Sequence, residues 1–164
     1  MKTISGKIID RKWKRLNQAT EEDTQRFIDE MARSQPFILA YLMAVEETLR
    51  GEKEAEERGG LLLLGVMLWQ VLSAEQPDLR KVTIEELEQA EKANLKFIEE
   101  LEAGSEMDYT NALTNLMETY NQTPLLLVVI EALMGGNDEE PELAQESIGL
   151  ELLHLKTVLD CLDQ

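Results

Sequence analysis

Apolar positions recur every three to four residues along most of the chain, and nowhere do they alternate as a half-buried strand requires. Residues 7–18 place Ile9, Trp13 and Leu16 at helical spacing among basic residues, so residues 1–18 read as a basic N-terminal arm or short helix. Thr20, with Asp23 three positions on, caps a helix carrying Phe27, Ile28 and Met31. Pro36 opens the next at its first turn, where a missing N–H costs nothing, and Pro36 to Arg50 is apolar for most of its length. Leu61 to Ala74 is apolar nearly all round, which demands burial or a covered interface, and Pro77 ends it. Thr83 with Glu86 caps a helix bearing Ile84, Leu87, Ala90, Ile98 and Leu101, with Gly104 in place for a left-handed C-terminal turn. Ser105 with Asp108 caps one bearing Tyr109, Leu113, Leu116, Met117 and Tyr120. Pro124 opens a helix over Leu125 to Met134, which Gly135-Gly136-Asn137 terminates. Pro141 opens the last, where Ile148, Leu152, Leu155, Leu159 and Leu162 share a face. The expected fold is all-α, with residues 19–164 forming a single domain, a bundle or stacked hairpins of six to seven helices.

The order of elements recurs. Gln35-Pro36-Phe37-Ile38-Leu39 parallels Thr123-Pro124-Leu125-Leu126-Leu127, and Glu57 to Leu61 parallels Glu146 to Leu150. Each copy runs capped helix, Pro-opened apolar helix, acidic link, long apolar helix. This raises an internal duplication of about residues 20–75 and 105–162, two three-helix halves joined by the helix at 83–103.

Charge narrows the partners. Of 164 residues, 33 are acidic and 16 basic, a net charge of −17. Such a surface repels nucleic-acid phosphates, so no direct nucleic-acid binding is expected. The imbalance is uneven: residues 1–18 carry a net +5, whereas residues 97–164 hold 15 acids and only Lys156 in opposition. The longest apolar runs, Pro36 to Val45 and Leu61 to Trp69, fall short of the roughly 20 residues a membrane span needs. No apolar stretch of signal-peptide length follows the N-terminal charges, and a single cysteine, Cys161, rules out an internal disulfide framework. These features suit a soluble, cytoplasmic protein.

Candidate chemistry is sparse. Glu151-Leu-Leu-His154 has the Glu-x-x-His spacing that aims two ligands at one metal, and Glu46 and Glu131 lie in otherwise apolar helices that could add carboxylates. The chain has one histidine, whereas di-iron carboxylate bundles use two such motifs. Arg26, Arg33 or His154 are the available partners for Glu46 and Glu131, unless those acids point outward. Cys161 stands two helical turns from His154, about 10 Å, too far for activation. No phosphate-binding glycine loop, nucleophile elbow or zinc spacing occurs, so no catalytic residue and no cofactor is assigned.

The sequence therefore points to a non-enzymatic helical protein–protein interaction module, an adaptor or regulator. Homodimerisation through 36–45 or 61–74 is expected from their surplus of apolar surface. Trp13 is a candidate contact, although docking on the acidic body of its own chain is the plainer expectation. The first alternative is an acidic decoy or chaperone for a basic nucleic-acid-binding protein, acting through Glu99, Glu100, Glu102, Glu106, Asp108, Asp138, Glu139, Glu140 and Glu142. The second is a carboxylate-rich metal-binding bundle using Glu46, Glu131, Glu151 and His154.

Overall fold

The computed structural model describes residues 1–50, 60–134 and 141–164, apart from the side chains of Arg50 and of residues 141–148. Among these residues the backbone forms eight helices and no strand: α1 (Gly6–Asn17), α2 (Glu21–Ser34), α3 (Pro36–Arg50), α4 (Gly60–Glu75), α5 (Ile84–Ala103), α6 (Glu106–Thr119), α7 (Thr123–Met134) and α8 (Pro141–Leu162). The count exceeds the expected six to seven because the N-terminal segment folds as a helix, with Ile9 fully buried. The connection at 51–59 and the Gly135-Gly136-Asn137 stop lie outside the described residues.

The start signals work locally. At Thr20–Asp23, Thr83–Glu86 and Ser105–Asp108 the cap hydroxyl accepts the third residue's N–H while that residue's carboxylate accepts the cap's own N–H. Each such cap contributes about 1 kcal/mol. Pro36 and Pro141 open α3 and α8, and Pro124 sits one residue inside α7. Gly104 departs from expectation. It is extended, with φ −85° and ψ 173°, and not left-handed. Ser105 caps α6 immediately, so the corner is turned without a left-handed residue.

α4 is the central element. It packs against α1, α2, α3 and α8 and buries Leu61, Leu64, Val66, Met67, Leu68, Trp69, Val71 and Leu72. Each such side chain contributes on the order of 2 kcal/mol on burial. The apolar circumference that suggested a dimer interface is thus largely covered within one chain. Gly65 permits the closest approach, since a Cβ there would collide with the buried Leu42 of α3. Leu125, Leu126 and Val129 of α7 and Leu155, Val158, Leu159 and Leu162 of α8 complete the core.

One contact pattern occurs twice. α1 and α3 pack on α4; α5 and α7 pack on α8; α4 and α8 pack on each other. Two buried glutamines tie these four-helix units together. Gln35, just before α3, donates from Nε2 to Arg80 O at 2.9 Å and accepts the Val82 N–H at 2.9 Å. Gln122, just before α7, donates to Lys2 O at 3.0 Å and accepts the Ile4 N–H at 3.1 Å. Each glutamine holds the extended residues leading into the other unit's first helix, and the held apolar residues, Ile4 and Val82, are both buried. In this grouping α5 corresponds to α1.

Candidate functional site

The two units differ where the first helix meets the last. On the α1 side, Trp13, Leu16 and Asn17 face Thr24 and Phe27 of α2, Leu63, Leu64 and Met67 of α4, and Ala132 of α7 across a groove of about 310 Å³. Ile9 anchors α1 beneath it, and the full burial of Met67 fixes the floor. Leu63 is 48 % exposed at the rim. A second hollow continues past the Leu16–Phe27 ridge, between Lys12 and Arg15 of α1 and Glu30, Trp69, Gln70 and Ser73.

α1 also carries the cations. Lys7, Arg11, Lys14 and Arg15 are exposed and Lys12 half-buried. Lys7, Arg11 and Lys14 recur at i, i+4 and i+7 and so share one face. None of the five has an ion-pair partner among the described residues; the pairs there join Arg26 to Asp23, Arg80 to Glu86, Lys96 to Glu100, Lys156 to Asp160 and the N-terminal amine to Asp163. α1 packs on α4 and on α7, which lies within the acidic segment 97–164, but not through its cations. It docks on apolar side chains, and the charges face water.

On the α5 side the same junction is polar. Asn94 is buried and donates to Thr157 Oγ1 and Asp160 Oδ2, while Lys156 donates to Asn94 Oδ1 and to Asp160 Oδ2, all at 2.9–3.1 Å. Tyr120 donates to Asp160 Oδ1 at 2.6 Å and lies under the Lys156 ammonium. Tyr41 and His154 share a 2.6 Å hydrogen bond at Nδ1. Burial pushes the Tyr41 hydroxyl well above its ordinary range and the His154 imidazole below its own, although the Glu91 charge opposes the latter. A protonated hydroxyl donating to a neutral imidazole satisfies both.

Glu131 is exposed; Glu46 and Glu151 are 8 % and 6 % exposed, and neither lacks a partner. His154 is taken up by Tyr41, Arg26 by Asp23, and Arg33 by the Asp29 carbonyl. Among the described residues no three His, Cys, Asp or Glu side chains converge. Cys161 lies 3.6 Å from Glu86 O, its thiol pushed up to about 11 chiefly by burial, which leaves it protonated and a poor nucleophile at neutral pH.

Glu99, Glu100, Glu102 and Glu106 are exposed where α5 meets α6, and Asp108 beside them is engaged in the α6 cap. Asp138, Glu139 and Glu140 lie outside the described residues, as does the side chain of Glu142. Sequence reasoning missed Leu63 and Met67 as a floor and rim for Trp13, and it missed both glutamine clamps. The all-apolar α4 was the signal for the former; a glutamine before each proline-bearing helix was the only signal for the latter.

Among the described residues no helix is long and apolar enough to cross a membrane. No family model, no curated protein and no solved structure matches the chain.

Proposed function

We propose that the protein is a non-enzymatic helical protein–protein interaction module, an adaptor or regulator, and that it engages its partner at the groove between α1, α2, α4 and α7. The observation that carries this reading is the Trp13–Phe27–Leu63–Met67 groove, which is apolar, concave and open at its rim. Aromatic side chains beside a hydrophobic floor are the usual anchors of binding energy. The test is capture from the native host's lysate on immobilised protein, comparing the unmodified chain with Leu63→Glu. Proteins retained through a high-salt wash by the first and lost by the second support the reading. An identical retained set on both overturns it.

A second reading, an acidic decoy for a basic nucleic-acid-binding protein, is supported by the exposed carboxylates of Glu99, Glu100, Glu102 and Glu106 at the α5–α6 corner. Its partner would be released by salt, because exposed charges are screened beyond about 8 Å at physiological ionic strength. Replacing those four by glutamine abolishes capture if this surface is used and leaves it intact if the groove is.

A further inference from the structure

Residues 36–45 contain no charged side chain, in a chain of which 30 % is charged. The inner side of α3 is used within the fold, where Ile38, Leu42 and Val45 are buried. The outer side is not. Phe37, Ala40 and Ala44 stand at i, i+3 and i+7 with Met43 beside them, and all four are exposed, Phe37 at 42 % and Met43 at 55 %. They form one apolar strip along the outside of the helix. The second unit lacks this strip. Counted from Gln35 and Gln122, Leu127 of α7 stands in place of Ala40 and the exposed Glu131 in place of Ala44.

We infer that the outer strip of α3 is a self-association face whose occupant is α3 of a second copy, crossing antiparallel about a two-fold axis at Ala40. In that register position 37 lies opposite 43, so Phe37 of each copy meets Met43 of the other, and Ala40 and Ala44 let the two helices approach closely. Position 33 falls opposite 47. Glu47 is exposed at the far end of the strip, and Arg33 is exposed three residues, at most about 10 Å, before Pro36. Neither has an ion-pair partner among the described residues; Arg33 Nε donates only to the Asp29 carbonyl. Each copy thus offers a cation to its partner's anion and an anion to its partner's cation, and the strip is complementary to itself. The net charge of −17 favours this place, since two like copies can touch on an uncharged strip without setting acid against acid. The strip is separate from the groove, whose lining includes no residue of α3, so the inference does not depend on the docking role given above. A single helix crossing is smaller than most stable interfaces, and association is expected at a dissociation constant on the order of 10–100 μM.

The test is sedimentation equilibrium of the full chain from about 5 to 500 μM at physiological salt, a range that brackets the expected constant. The expected result is a reversible monomer–dimer equilibrium. Ala40→Glu sets two carboxylates against each other on the axis and should weaken it about tenfold or more, whereas Leu63→Glu in the groove should leave it unchanged. Arg33→Glu should weaken it about three- to tenfold, and adding Glu47→Arg to that variant should restore it. All four are surface positions, and circular dichroism with a thermal melt confirms that each variant is folded. A monomer throughout the range overturns the inference. So does a dimer that survives Ala40→Glu, and one that also disappears in Leu63→Glu seats the second copy in the groove instead. A charge exchange that fails to restore association overturns the antiparallel two-fold.

Discussion

The α1–α4 unit and the α5–α8 unit share a frame and differ in how they fill it. Counted from the clamped pair Ile4 and Val82, the buried Ile9 corresponds to Leu87, but Trp13 corresponds to Glu91 and Leu16 to Asn94. Counted from Gln35 and Gln122, Leu42 corresponds to Val129, Leu68 to Leu155 and Leu72 to Leu159, all within the core. At the same register Leu64 gives way to Glu151, Met67 to His154, Trp69 to Lys156 and Ser73 to Asp160. The core positions agree, and the positions where the first helix meets the last do not. In the second unit that junction is closed by hydrogen bonds among Asn94, Tyr120, Lys156, Thr157 and Asp160, with Tyr41 of the first unit bonded to His154. In the first it is apolar and open. Where one frame is filled two ways, the open junction is the place to look for binding.

The frame itself is the first thing to break. Leu68→Ala and Leu155→Ala should each lower stability by about 3 kcal/mol, read by chemical denaturation, because both remove a fully buried leucine. A several-fold inequality between them would show that the two positions are not equivalent. Next come the clamps. Gln35→Ala and Gln122→Ala should each cost about 1–3 kcal/mol, since each strands a buried backbone N–H, and hydrogen exchange should speed up at Val82 and Ile4 respectively. Unchanged exchange at those amides would mean that the clamps do not hold.

The polar junction should then show itself through pH. The imidazole of His154 is held neutral below its ordinary value of 6.5, so the native state resists a proton that the unfolded chain accepts. Stability is therefore complete above about 6.5 and declines as pH falls below it, against the background of the carboxylates. His154→Gln should flatten the melting temperature between pH 7 and 5; an unaltered slope would remove His154 from the account. The smallest effect belongs to the open junction. Leu63→Glu should change stability by less than about 0.5 kcal/mol, as surface substitutions do, while abolishing partner capture. A large loss of stability would place Leu63 in the folding core and not in a binding surface.

What the sequence revealed follows the range of each interaction. The three capping boxes close over three residues, and all were legible from Thr20, Thr83 and Ser105. α1 was ambiguous because Ser5 offers no side-chain bond to its first turn, so its helix depends on Ile9 reaching α4 and α7. Gln35 meets Val82 across 47 positions and Gln122 meets Ile4 across 118, and no local pattern marks either. The likeness in packing of α5 to α1 was obscured for the same reason. α5 is twenty residues against twelve in α1 and opposite in charge, so their shared place emerges only from what each packs against. The groove was half legible: an all-apolar α4 announced that something must cover it, but not that α1, α2 and α7 would leave a gap.

The reciprocity of the two glutamines has a consequence for how the molecule comes apart. Each unit's leading segment is held by the other, as two people might each grip the other's sleeve. Opening the first unit releases the lead-in to α5, and opening the second releases the lead-in to α1. Partial unfolding of either should therefore loosen both, and denaturation is expected to follow a single cooperative transition, although the described helices are laid out as two groups.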